Sequence, residues 1–221
     1  MPNQPFPDIA LLGEHHLLLT LAKTGCSAST LANQAKIWAL AQECRSRGGL
    51  TDITPGMNNL TLCLDANQDT NSWQQWLQNI WPRLPVEIPD GRLHRVPVRY
   101  GNDHGPDLEA VARFHHTSAE EIIRAHCATE YRVMFLGFLP GFAYLSGLPS
   151  QLHTPRLDVP RQQVPAGSVG IGGAQTGIYP CQAPGGWQLI GRTELPLFDA
   201  KQEPPCRFAP GDRIQFVREV S

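Results

Sequence analysis

The chain has 221 residues, with 20 acidic and 18 basic side chains, a formal net charge of −2 and a hydrophobic fraction of 41%. That length makes one large domain or two small ones, and the composition excludes global disorder. The near-neutral balance, with only Lys23, Lys36 and Lys201 as lysines, provides no basic face for nucleic acid or an anionic membrane surface.

The longest apolar runs, such as residues 17–22, fall well short of the ~20 residues of a membrane span. The first eight residues lack a positive leader region, so no export signal is expected. Cys26, Cys44, Cys63, Cys127, Cys181 and Cys206 form no CxxC pair. With no export signal, free buried thiols in a cytoplasmic protein are expected rather than disulfides.

Residues 9–12 and 16–22 are apolar runs of strand type. Ser27 or Ser29 can cap a helix running to about Arg47, with Leu31, Ala35, Trp38, Leu40 and Ala41 near helical spacing. Gly48 and Gly49 then stop it. Residues 50–55 and 59–64 read as two strands around a turn at 55–58. Asp69 or Asn71 opens a second helix over residues 73–84, with Trp73, Trp76, Leu77, Ile80 and Trp81 on one stripe. Three tryptophans on one face suit ligand stacking, but a core face against a sheet is the simpler reading. Residues 1–88 thus form a small α+β sandwich domain, an open sheet with two helices on one side. The proline-rich segment 84–90 marks the junction to a second domain, residues 89–221.

In the second half, residues 93–100 alternate like a strand and 101–106 form a loop. Asp107 caps a short helix over 108–114. The sequence Ser118-Ala-Glu-Glu121 is a capping box for a helix carrying Ile122, Ile123 and His126. Residues 130–136 are the next strand. Residues 137–191 then hold 11 Gly and 7 Pro, with Arg156, Asp158 and Arg161 as the only charges. So much Gly and Pro excludes long helices, and so little charge excludes a solvated linker, leaving turn-rich β structure. A last strand, 213–217, follows the turn 210–212.

Familiar nucleotide and nucleophile motifs are absent. No GxxxxGK[ST] occurs; residues 170–177 fail GxGxxG because position 175 is Gln, and Ala166 breaks GxSxG around Ser168. Neighbouring His pairs at 15–16 and 115–116 cannot chelate one ion alone, so no metal site is expected. What remains is an aromatic, kinked segment, 136–148, carrying Phe138, Phe142 and Tyr144, which is either a core corner or the wall of a pocket. Arg156, Arg161, Ser168, Gln175, Tyr179 and Arg192 punctuate the apolar stretch that follows. An Arg in such surroundings must face water or hold a partner. Convergence of Arg156, Arg161 and Arg192 on one cavity would favour phosphate or carboxylate. His126 lies at a helix C-terminus, which favours the imidazolium, and is the acid/base candidate.

Three groups of residues carry a resemblance. They are Tyr131 to Leu145 (YRVMFLGFLPGFAYL); Thr154-Pro-Arg156 with Val164 to Gly170 (VPAGSVG); and Gln175 to Pro180 (QTGIYP) with Pro184 to Thr193 (PGGWQLIGRT) and Leu197-Phe-Asp199. Together they resemble the allophanate hydrolase subunit 1 / KipI family over roughly residues 93–217; the first ~90 residues match only in outline. The resemblance implies a mainly β, cyclophilin-like barrel for the second domain. It implies a subunit of ATP-dependent 5-oxoprolinase, which works with C-type and A-type partner subunits to phosphorylate the 5-oxoproline lactam and open it to L-glutamate. ATP, with Mg, would then bind at a site shared with the partner subunit. On the matched motifs, His126 and Arg192 take the catalytic roles. Phe142 and Tyr144 form the wall of the substrate site, Arg156 and Arg161 hold anions, and Ser168, Gln175 and Tyr179 orient the substrate. Relatives also imply two alternatives: a subunit of an allophanate- or urea-type amide hydrolase or carboxyltransferase, and a regulatory module that inhibits a histidine kinase.

Overall fold

The computed structural model describes residues 6–21 and 27–219, the side chains of 27–30 excepted. The expectations for residues 1–5, Ala22, Cys26 and the capping side chains of Ser27 and Ser29 lie outside the described residues. Compact units meet between Pro89 and Asp90.

The first unit runs β1 (Asp8–Leu12), β2 (His16–Thr20), α1 (Ser27–Arg47), β3 (Leu50–Gly56), β4 (Asn59–Leu64) and α2 (Thr70–Ile80). Its strands form an antiparallel sheet in the order β1-β2-β4-β3. The period of two puts Leu17 and Leu19 opposite Leu62 and Leu60, all buried on one face. From α1, Ile37, Leu40, Ala41 and Cys44 pack on that face. Leu31 and Trp38, expected on the same stripe, are only half-buried. The helix is instead turned so that Gln34 points inward, where its amide donates to the Gly56 carbonyl at 3.0 Å and accepts from the Asn58 N–H at 2.9 Å. A buried latch on the β3–β4 turn thus sets the helix's rotation.

Asp69 caps α2, accepting from the Asn71 and Ser72 N–H groups at 3.4 and 2.9 Å. The helix therefore starts at Thr70, three residues before the expected Trp73, and Pro82 converts its end into the short 3₁₀ turn Trp81–Arg83. Trp73, Leu77 and Trp81 are buried in the sheet core, so the tryptophan stripe is a packing face. Arg47 covers its rim, 4.6 Å from the ring centres of both Trp73 and Trp76.

The second unit contains β5 (Leu93–Tyr100), α3 (Leu108–Phe114), α4 (Ala119–Ala128), β6 (Glu130–Leu136), β7 (Ala143–Ser146), β8 (Arg161–Val164), β9 (Ser168–Gly172), β10 (Gln175–Ile178), β11 (Ala183–Gly185), β12 (Gln188–Arg192) and β13 (Arg213–Arg218). Seven strands close a barrel in the order β10-β7-β6-β13-β5-β12-β9, while β8 and β11 form a separate ribbon. β5 and β13 pair in parallel, and the other barrel pairs are antiparallel. Val96, Val98, Tyr131, Val133, Val169, Ile171, Ile190, Ile214 and Phe216 fill one core, to which α3 and α4 add Leu108, Val111, Ile122 and Ile123. Gly173, at φ +66°, turns β9 into β10. The glycine run 170–177 is therefore a barrel hairpin. Ser118 caps α4 as its motif predicts, accepting from the Glu121 N–H at 3.2 Å.

Cys44, Cys63, Cys127, Cys181 and Cys206 are free thiols. Burial pushes the Cys44 thiol up to about 12, whereas Cys181 is exposed, against the expectation for buried thiols. Among the described residues no helix is long and apolar enough to cross a membrane.

Candidate functional site

Alternation along β9 sends Val169 and Ile171 into the barrel and leaves Gly170 and Gly172 facing outward. Trp187 lies against this glycine face. A Cβ on Gly172 would sit 2.4 Å from Trp187 Nε1, and one on Gly177 of β10 would sit 3.1 Å from the Trp187 ring edge. Around Trp187 gather Phe142 and Tyr179, with ring centres 5.6 and 6.4 Å away. Tyr144, which alternates outward from β7, lies 4.8 Å from Phe142 and stacks on Phe135 at 4.3 Å. The barrel thus carries an aromatic layer on its outer surface, separate from its core. Gly172→Ala will displace the Trp187 ring, at a cost of about 1–3 kcal/mol. A lowered melting temperature with red-shifted tryptophan emission checks this, and unchanged emission contradicts it.

Two of the three arginines expected to converge do meet this layer. The exposed Arg156 guanidinium stands 5.7 Å from the Trp187 ring centre. Arg161, at the start of β8, donates through Nη2 to Asp107 Oδ1 at 2.7 Å, while its Nη1 is buried without a hydrogen-bond partner. Burial raises the hydroxyl pKa values of Tyr144 and Tyr179; Arg156 opposes the rise at Tyr144, and a hydrogen bond from the Trp187 backbone, Arg156 and Arg161 oppose it at Tyr179. Phe142, Tyr144, Arg156, Arg161 and Tyr179 therefore belong to one region. Phe142 and Tyr179, each 2% exposed, are its foundation, and the accessible surface is Tyr144 with Arg156.

Arg192 and Ser168 lie elsewhere. Arg192 borders a cleft of about 420 Å³ lined by Arg99, His104, Gly167, Thr193 and Glu194, without Arg156 or Arg161. Its Nε donates to the Ala166 carbonyl at 2.9 Å. Arg99 in that cleft is already paired with Glu194 and Glu219, at 2.9 and 3.2 Å. Ser168 is 2% exposed and pairs with Arg192 through the backbone only. Gln175, opposite Gly172 at the turn of the β9–β10 hairpin, shares with Gly172 and Gly177 the face on which Trp187 lies and so borders the aromatic layer.

His126 overturns the expectation of a chargeable acid/base. It is fully buried inside the barrel, stacked on Phe216 with ring centres 4.4 Å apart. Its Nε2 lies 3.1 Å from Thr176 Oγ1, and the Thr176 hydroxyl donates to the Gly170 carbonyl at 2.9 Å. The threonine proton being spent, Nε2 carries the ring hydrogen, and Nδ1 accepts from the Tyr100 hydroxyl at 2.8 Å. Desolvation lowers the imidazole pKa to about 3 and outweighs the helix end.

Three residues that matter here carry no decisive signal in the sequence. Asp107 occupies the N-cap position of α3 but its side chain makes no capping bond. The carboxylate instead accepts from Arg161 and, through Oδ2, from the Leu189 N–H at 2.6 Å. Those partners lie 54 and 82 residues away, beyond any local signal. Trp187 has no motif of its own. Phe138 reads as one more aromatic of its segment, but its backbone, at φ +68°, is a conformation that costs a bulky residue on the order of 1–3 kcal/mol.

Residues 7–208 match the family model described as carboxyltransferase domain, subdomain C and D. The chain is 47% identical over 191 residues to a Haemophilus influenzae protein named as the B-type subunit of 5-oxoprolinase, covering 86% of this chain and 90% of that one. It is 45% identical over 215 residues to the Escherichia coli O157:H7 protein of the same name, covering 94% of each. The crystal structure of TTHA0988 superposes with a TM-score of 0.79 at 33% identity over 93% of this chain, which spans only 40% of the TTHA0988 chain. The chain therefore belongs to the carboxyltransferase subdomain C and D family, alongside the proteins named as B-type 5-oxoprolinase subunits.

Proposed function

We propose that the chain is a subunit of an ATP-dependent 5-oxoprolinase, acting with C-type and A-type partner subunits to open 5-oxoproline to L-glutamate. The observation that carries this reading is its identity of 47% and 45% to two proteins bearing that subunit name, over 90% and 94% of their lengths.

A lactam is a poor electrophile. Transfer of the terminal phosphoryl group of ATP to its oxygen, with release of ADP, makes the ring carbon open to water. The ring C–N bond then breaks, the nitrogen takes a proton and phosphate leaves. This chain's share is to hold the substrate. Arg156 is a donor of the right charge for its carboxylate, and Arg161, whose side chain keeps 29% of its exposure, adds a second positive charge beside it. Asp107 engages the other end of the Arg161 guanidinium and so preorganises it. Tyr144, backed by Phe142, Tyr179 and Trp187, presents a flat apolar surface for the ring.

The fit to ATP is incomplete on this chain alone. In the Arg192 cleft Glu194 already neutralises Arg99, leaving too little positive charge for a triphosphate. Among the described residues no group of three or more His, Cys, Asp or Glu gathers, and Mg held through nucleotide phosphates needs only one or two carboxylates. A nucleotide site completed by the partner subunit fits both observations, with Arg192 at its edge.

Reconstitution with the C-type and A-type subunits, omitting each in turn, tests the reading. Glutamate formation from 5-oxoproline will require ATP and this chain. Arg156→Ala and Arg161→Lys will each lower kcat/KM by about 10- to 100-fold, the worth of a hydrogen bond to a charged group. Full turnover without this chain would overturn the assignment.

A further inference from the structure

A second cleft, of about 290 Å³, opens on the barrel unit between the start of β5 and residues 196–207. That is the small end of the range for ligand pockets, about 300–1,000 Å³, and suits a molecule the size of one amino acid. Tyr144, Arg156 and Arg161 are not in its lining, and it shares only Pro196 with the Arg192 cleft. One wall is held by its own cross-links: the Arg207 N–H donates to the Leu197 carbonyl and the Asp199 N–H to the Pro205 carbonyl, each at 2.9 Å. On the other side the Asp212 carboxylate accepts from the Arg92 N–H at 3.0 Å and from His94 Nε2 at 2.9 Å. A carboxylate only accepts, so Nε2 carries the ring hydrogen and Nδ1 is left as an acceptor. Four charged side chains line the cleft: Arg92, Asp199, Glu203 and Arg207. Among the described residues no ion pair joins any of them. Arg207 Nε donates to the Pro196 carbonyl at 2.6 Å, which fixes the side chain and leaves its terminal nitrogens free. The Asp199 oxygens accept from the Lys201 N–H and the Gln202 amide at 3.0 and 3.1 Å. The exposed side chains of Arg92 and Glu203 have no hydrogen-bond or ion-pair partner among the described residues.

We propose that this cleft binds an acidic α-amino acid, its two carboxylates on Arg92 and Arg207 and its ammonium on Glu203 and His94 Nδ1. Two unpaired guanidinium groups and one unpaired carboxylate, held apart in one cleft, match two carboxylates and one ammonium. A dicarboxylate without the ammonium would face Glu203 with nothing to offer it, and a polyphosphate would meet the charges of Asp199 and Glu203. Phe198 and Pro204 supply apolar wall for the methylenes between the charged ends. The ligand class follows from the cleft alone. That the ligand is L-glutamate, the product of the reaction, rests on the subunit reading above, and it makes the cleft a product-sensing site apart from the substrate surface.

Cys206, half-buried in the lining, reports occupancy locally. Its alkylation by iodoacetamide in the full chain, followed by peptide mass spectrometry, will slow as L-glutamate is added, while the exposed Cys181 keeps its rate. Half-protection will need about 10-fold more glutarate, which lacks the ammonium, or 5-oxoproline, whose nitrogen is an uncharged amide. Arg207→Gln and Glu203→Gln will each raise the half-protecting concentration of L-glutamate by about 10-fold or more. Glu203 bonds to no described residue, so its replacement leaves the fold intact. Protection by glutarate at the same concentration would make the cleft a general anion site. Protection that survives both substitutions would place the ligand elsewhere. Either result overturns the proposal, as does a wild-type chain protected by neither L-glutamate nor L-aspartate. Protection by L-aspartate alone keeps the ligand class and overturns the product identity. Each of these failures leaves the subunit reading standing, because reconstituted turnover tests that reading without this cleft.

Discussion

Acid will loosen the barrel through His126 well before the carboxylates have all been titrated. The imidazole has a pKa of about 3 in the folded chain against 6.5 when unfolded. Between those values the unfolded chain binds the proton and the folded chain refuses it. Its contribution is thus fully present above pH 6.5 and is lost as the pH falls towards 3, by up to about 1.4 kcal/mol per pH unit. His126→Gln, which cannot titrate, will remove that slope. Urea midpoints measured from pH 4 to 8 for both proteins isolate the effect, since the carboxylates are common to both. Parallel curves would show that the ring is not held neutral. At neutral pH His126→Ala will cost about 3–5 kcal/mol, because it leaves a cavity beside Phe216 and strips partners from Tyr100 and Thr176.

Removing the Asp107 carboxylate is the second large perturbation. Asp107→Ala leaves the Leu189 N–H without its acceptor and Arg161 without its ion pair, and Arg161 already has one buried nitrogen unpartnered. A cost of about 2–4 kcal/mol follows, below the upper figure for breaking a buried pair because the Arg161 side chain keeps 29% of its exposure. Asp107→Asn, which retains an acceptor for Leu189, will lose less. The double replacement Asp107→Ala/Arg161→Leu will be more stable than the two single losses summed, by about 1 kcal/mol or more. A double-mutant cycle in urea measures this. Additive losses would mean that the 2.7 Å contact carries no energy. Amide exchange at Leu189 supplies a local readout, as its protection will fall in the alanine variant and persist in the asparagine one.

Much of the first unit was legible because its signals are local. Short apolar runs placed β2 and β4, Gly48 and Gly49 placed the end of α1, and Asp69 or Asn71 announced α2, although Asp69 proved to be the cap and the helix begins three residues before the expected Trp73. The rotation of α1 was not, since Gln34 is polar and turns inward only because Gly56 and Asn58 await it across the β3–β4 turn. In the second unit the Gly- and Pro-rich grammar announced short strands. The same glycines also make room for Trp187, and that purpose became visible only once β9 and β10 were paired.

The candidate site divides the same way. Aromatic and arginine content marked residues 136–192 as chemically loaded, and Tyr144, Arg156 and Arg161 do share a region. Residue type alone could not say that Arg192 faces another cleft, that Phe142 and Tyr179 are foundations, or that His126 is sealed inside the barrel. By itself the sequence determined what acts over a few residues: caps, turns, the period of each strand, and the supply of charged and aromatic groups. The tertiary structure alone decided the charge state of His126, the employment of Asp107 and the exposure of Phe138. Desolvation and hydrogen bonding depend on which atoms come within about 3 Å. For Asp107 those atoms lie 54 and 82 residues along the chain and meet only when the barrel closes.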